Sequence, residues 1–97
     1  METQLNIIRS QFEKKMSNTY SAIRRRCSAK CLERDSKYYW DKHIKVKWTN
    51  FSEFYKDMAF DCLLHILKYG IKNTSIDRID SNKHYCKENC RWATWEV

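Results

Sequence analysis

The chain has no proline and a single glycine among its 97 residues. Its turns therefore cannot lean on proline's fixed φ or on freely placed left-handed glycines; they must be built from Asn, Asp, Ser and Lys. Neither a glycine-rich nor a proline-rich linker divides the sequence, and there is no internal repeat, so a single domain is expected. No apolar run approaches the roughly 18 residues of a membrane span. The N-terminus METQLNIIRSQF is charged too early for a signal peptide. Cysteine is present, but the count of five is odd, which argues against a closed disulfide framework. The expectation is an intracellular protein with reduced thiols and no membrane partner.

What the chain does have is positive charge, +7 net, and it is clustered. Arg24, Arg25, Arg26 and Lys30 form one group. Lys42, Lys45 and Lys47 form a second, interleaved with Tyr38, Tyr39, Trp40 and Trp48. Arg78, Lys83, Lys87 and Arg91 form a third. Cations at this density favour a polyanionic partner, nucleic acid first, because they bind phosphates while aromatic faces stack on bases. DNA is the expected partner; a protein partner is the alternative.

The periodicities divide the chain. Leu5, Ile8, Phe12 and Met16 recur at helical spacing, and Ser17-Asn-Thr19 is expected to end that helix and cap a second one carrying Tyr20, Ile23 and Cys27 inward. Residues 33–42 read as a loop. His43-Ile-Lys-Val-Lys-Trp48 alternates and predicts a short strand. Asn50 and Glu53 form a capping box before a helix whose stripe is Phe51, Phe54, Tyr55, Met58, Cys62, Leu63 and Ile66, stopped at Gly70. Residues 75–80 and 90–94 predict the two strands of a hairpin around a Ser81-Asn-Lys83 turn. The fold class is α+β. The N-terminal part is helical, with 1–18 as an extension and 19–70 as a helical and strand region, and 71–97 is the hairpin.

The cysteines fall in two C-x3-C pairs, Cys27 with Cys31 and Cys86 with Cys90. Matched pairs of this kind can supply four thiolates to a structural zinc ion. Reduced, partly buried thiols are the other reading. Cys62 belongs to the apolar face of its helix.

The string IDRIDSNKHYCKENCRWAT resembles the C-terminal signature of small phage-encoded endonucleases of the HNH, or His-Me finger, family. Tyr20, Cys27, Tyr39, Ile44-Lys-Val46, Trp48, Phe51, Phe54 and Asp57-Met58 resemble that family's N-terminal half, so the resemblance covers roughly residues 20 to 95. It implies a ββ(α) finger, with most of its closing helix lacking before Val97. It also implies metal-dependent cleavage of DNA with Mg²⁺ or Mn²⁺. On that resemblance Asp77 matches the first metal ligand, and Asn89 matches the asparagine that holds the hairpin together. Arg78 stands where the catalytic histidine is expected, as a phosphate clamp, since arginine cannot take a proton. His84 or Asp80 would then serve as substitute base. The sequence departs a second time at Trp40-Asp-Lys-His43, where a glycine-rich tract is usual. Three functions stay open: an endonuclease, a nucleic-acid binder that no longer cleaves, and a finger scaffold that binds and inhibits a host defence protein.

Overall fold

In a computed structural model, which describes residues 2–95, α1 spans Glu2–Arg26, α2 Glu33–Ser36 and α3 Phe51–Tyr69. Two antiparallel strands follow, β1 at Ser75–Arg78 and β2 at Cys90–Ala93. The architecture is α+β, a helical N-terminal part followed by a ββ hairpin. The expected closing helix of the finger would fall at residues 96–97, outside the described residues.

The expected break at Ser17-Asn-Thr19 is absent, and α1 runs straight through it. The reason is phase. Met16, Tyr20 and Ile23 continue one face at i, i+4 and i+7, and all three are buried. Interrupting the helix would move that face off the core. Ser17 and Asn18 are exposed, where their weak helix propensity costs only about 0.5 kcal/mol each.

α3 forms as its sequence predicts, except that Leu63 of the expected stripe turns outward and is exposed. The Asn50 Oδ1 accepts from the Glu53 backbone N–H at 2.9 Å. The returning carboxylate of Glu53 accepts from the backbone N–H of Thr49, one residue outside the cap, at 2.6 Å. At the other end the Gly70 N–H bonds to the Ile66 carbonyl, and Gly70 takes φ 90°, a value that L side chains rarely adopt. Phe54, Met58 and Cys62 bury the inner face.

The core joins that face to Met16, Tyr20 and Ile23 of α1, to Ile44 and Trp48 of the connecting segment, and to Tyr85, Cys90 and Trp92 of the hairpin. Trp92 therefore packs inside, and its indole N–H donates to the Met58 carbonyl at 2.9 Å. Trp48 meets Phe54 edge-on at 5.0 Å between ring centroids, and its indole N–H donates to the Asp57 carboxylate at 2.9 Å.

Two connecting segments depart from expectation. Residues 33–42 hold one helical turn, α2, followed by tight turns that end at His43 with φ 59°. The predicted strand at 43–48 is reduced to a single parallel bridge, Val46 to Tyr85. Its bonds are Lys47 N–H to the Tyr85 carbonyl at 2.8 Å and Tyr85 N–H to the Lys45 carbonyl at 2.9 Å. A longer ladder is not available, because the chain turns into a short 3-10 helix at Lys87–Asn89. The alternation still matters: Ile44 is buried, Val46 is half-buried, and Lys45 and Lys47 remain exposed.

Candidate nucleic-acid interface

The hairpin pairs Ser75 with Ala93, Ile76 with Trp92, Asp77 with Arg91 and Arg78 with Cys90. This register fixes the surroundings of Asp77 and Arg78; Asp80, His84 and Asn89 lie in the connection between the strands.

Asp77 lies directly across from Arg91, and its carboxylate accepts from the Arg91 Nε at 3.1 Å. Cross-strand opposite charges at this spacing stabilise a ladder by a few tenths of a kcal/mol up to about 1 kcal/mol. The carboxylate matched to a metal ligand is thus held by a cation of its own hairpin.

Arg78 is turned into the protein. Its Nη1 donates to the Ser81 carbonyl at 2.7 Å and to the Lys83 carbonyl at 2.9 Å. Its guanidinium stands over the Tyr39 ring at 4.9 Å and the Tyr85 ring at 5.1 Å, two rings that are themselves stacked. One side chain thus joins the turn of the hairpin to the segment before the 43–48 strip. Tyr39 is the partner that sequence reasoning did not find. Its position inside an aromatic cluster was visible, but nothing local linked it to Arg78, 39 residues away.

Asn89 is buried and clamps the turn from inside. Its Oδ1 accepts from the Asp80 N–H at 2.9 Å, and its Nδ2 donates to the Asp80 carbonyl at 3.0 Å and the His84 carbonyl at 2.9 Å. Asp80 is used in the same turn, its carboxylate accepting from the Asn82 N–H at 2.9 Å.

His84 receives the backbone N–H of Lys45 on Nδ1 at 2.8 Å. That bond makes Nδ1 an acceptor and leaves the proton of the neutral ring on Nε2. Partial burial, then Lys47, Lys45 and Arg78, hold its pKa below the ordinary 6.5. The ring is therefore a neutral hydrogen-bond donor at Nε2, with no free basic nitrogen to accept a proton from water.

The residues that would hold a metal ion are not brought together. Among the described residues no three His, Cys, Asp or Glu side chains form a group suited to a metal. Asp77 belongs to no such group. The zinc site expected from Cys27, Cys31, Cys86 and Cys90 does not assemble: all four are free thiols, and they form no such cluster. Cys31 departs from that expectation because it lies beyond the end of α1, in a turn closed by its own N–H on the Ser28 carbonyl at 3.1 Å. It therefore does not continue the helical face that carries Cys27. Cys86 likewise precedes the short 3-10 helix at Lys87–Asn89, whereas Cys90 begins β2 and is buried. Burial pushes the Cys27 thiol up to about 11 and the Cys90 thiol up to about 12, against the nearby positive charge of Arg78. Buried Cys62, likewise raised to about 12, is core as its helix position predicts. Without a metal these three thiols are held protonated near neutral pH.

The turn side of the hairpin is a cationic edge. Lys42 reaches across to the Asn82 side chain at 3.4 Å. Lys45, Lys47, Lys83 and Lys87 are all exposed. Among the described residues only Arg34 and Arg91 stand within 4 Å of a carboxylate, so none of these lysines is neutralised. Lys47 and Lys87 also line a 380 Å³ groove with Trp48, Lys56 and three carboxylates, Glu53, Asp57 and Glu88. The Asp57 and Glu53 carboxylates there are taken up by Trp48 and Thr49. The arginine run of α1 is divided. Arg24 lies over the Tyr20 ring at 5.7 Å, Arg25 is exposed, and Arg26 is half-buried beside Tyr85. Arg78 and Arg91, expected among the phosphate contacts, are engaged within the hairpin.

Compared with family models, with curated proteins and with solved structures, the chain has no match in any of the three.

Proposed function

We propose that the chain binds nucleic acid along the lysine-bearing edge formed by residues 42–47 and the hairpin turn, and that the hairpin serves as a scaffold rather than a cleavage centre. The observation that carries this reading is the His84–Lys45 contact. It docks the alternating strip onto the turn, so that Lys42, Lys45 and Lys47 line up with Lys83 and Lys87 as unneutralised cations. The same contact occupies the Nδ1 of His84, the nitrogen that a substitute base at this position would use. Phosphate contacts of this kind give affinity and register but no base sequence. The reading places the protein inside the cell, beside its polyanion, where five free cysteines stay reduced.

Phosphodiester cleavage, which the resemblance implies, needs a base and a ligand set that these residues do not supply together. The test is a paired assay on the full chain. Fluorescence anisotropy with labelled DNA reads binding, and conversion of supercoiled plasmid with Mg²⁺ or Mn²⁺ reads cleavage. The expected result is salt-sensitive binding and no nicking. Nicking abolished by Asp77→Ala would restore the endonuclease. Failure to bind at low salt would leave the host-protein reading.

A further inference from the structure

We propose that the chain associates as a two-fold dimer through an apolar surface that runs from the N-terminal half of α1 onto the outer face of α3. The inference does not rest on nucleic-acid binding, since it uses none of the lysine-edge residues.

α3 is apolar on two faces. Its inner stripe is buried, as described above. Phe60, Leu63, Leu64 and Leu67 repeat the i, i+3, i+4, i+7 pattern on the outer side, where they are 71%, 37%, 49% and 74% exposed. Between Ala59 and Leu67 only Asp61 and His65 are polar. Over this stretch α3 presents a second apolar face besides the one it buries, and an exposed apolar face of this size is built to be covered. Leu63 connects this stripe to an open groove of about 470 Å³, lined also by Leu5, Ile8, Phe12 and Tyr55. Residues 3–11 of α1 are exposed throughout, so nothing in the described chain covers them.

Size points to a partner of the same scale. Leu5, Ile8 and the four outer residues of α3 together present on the order of 700 Å² at these exposures, more than the few hundred Å² typical of the largest patch on a monomer. A standard interface takes roughly 800 Å² from each partner. Charge points to a second copy. Arg9 and Glu13 both line the groove one turn apart, with opposite sign and, among the described residues, no ion pair of their own. Glu13 only accepts from the Tyr55 hydroxyl. A two-fold axis that sets two α1 helices antiparallel brings each Arg9 against the other copy's Glu13. That self-complementarity is what an isologous interface requires.

Sedimentation equilibrium of the full chain, across low to high micromolar concentration, tests the proposal. The wild type is expected to reach twice the mass of the chain. Leu67→Glu alters one of the most exposed residues of the stripe, so the protomer fold stays intact, as circular dichroism will show. Because the substitution occurs twice per dimer, the dissociation constant is expected to rise by about 100-fold or more. Leu5→Glu should act in the same direction through the groove, and charge reversal at Arg9 and Glu13 together should dissociate the dimer less than either reversal alone. A wild-type chain that stays monomeric throughout overturns the proposal, including one that instead adsorbs to lipid vesicles. So does a folded Leu67→Glu chain that still dimerises like the wild type.

Discussion

Arg78 separates the two accounts of the hairpin. If it were a phosphate clamp, its loss would weaken DNA binding and leave the fold alone. Its contacts argue the reverse. Two charge-assisted bonds to the Ser81 and Lys83 carbonyls contribute roughly 1.5 kcal/mol each at the lower, partly solvated end of their range. Stacking on Tyr39 and Tyr85 adds about 0.5–1 kcal/mol. The per-bond figures already include the carbonyls regaining water, so the loss in Arg78→Ala is about 3.5–4 kcal/mol, a large share of the roughly 5–15 kcal/mol that holds a domain together. Arg78→Lys keeps the charge but cannot bond both carbonyls and stack at once, and is expected to lose about 2 kcal/mol. Urea unfolding followed by circular dichroism gives both numbers, and Tm should fall by more than ~10 °C for the alanine variant. DNA affinity of the folded fraction should change little in either variant. Arg78→Ala unfolding within about 0.5 kcal/mol of wild type, with a salt slope reduced by about one, would refute this reasoning and return Arg78 to the phosphate.

Asn89→Ala removes three hydrogen bonds from a buried position and should cost about 3 kcal/mol in urea unfolding; a loss under ~1 kcal/mol would mean that water replaces the clamp. His43→Gly relieves a left-handed backbone at φ 59° where the resembling family has a glycine-rich tract, and should raise stability by about 1 kcal/mol, read as an increase in Tm. The lowered pKa of His84 means that the unfolded chain binds its proton first as pH falls. The stabilising contribution is therefore present above pH 6.5 and is lost as pH drops below it; the unfolding free energy should decline over that window, and His84→Gln should flatten this part of the profile. Cys27, Cys62 and Cys90, held protonated by burial, should resist alkylation in the folded protein, and a chelator should leave Tm unchanged; a fall in Tm with the chelator, abolished by Cys31→Ser, would reinstate the zinc site.

The elements with long apolar periods were legible in the sequence. α3, its Asn50 cap, its Gly70 stop and the two strand segments of the hairpin follow from spacing and turn chemistry alone, whereas the register, centred near residue 84 rather than on Ser81-Asn-Lys83, does not. α1 continues through Ser17-Asn-Thr19 because the phase that carries Met16 on to Tyr20 and Ile23 outweighs the weak local helix propensity of those three residues. The strip at 43–48 was legible as alternation, yet its pairing was not. A single bridge to Tyr85 across 39 residues is set by tertiary packing. The matched spacing of the cysteine pairs misled for a related reason: Cys27 and Cys31 share a helical face only if the helix continues, and α1 ends at Arg26. The candidate site was half readable. Residue types at 77, 78, 84 and 89 marked the hairpin as the place of interest. What each side chain does there depends on partners far along the chain, on Tyr39 for Arg78 and on the Lys45 backbone for His84, and composition carries no trace of either.

The most direct test of the lysine edge is the salt dependence of DNA binding. Five phosphate contacts, from Lys42, Lys45, Lys47, Lys83 and Lys87, predict that log K falls with log salt at a slope of about −4.5 on duplex DNA. Lys45→Ala and Lys47→Ala should each make that slope shallower by about 0.9, with the fold unchanged. A slope near zero, or a slope indifferent to both substitutions, would contradict the account.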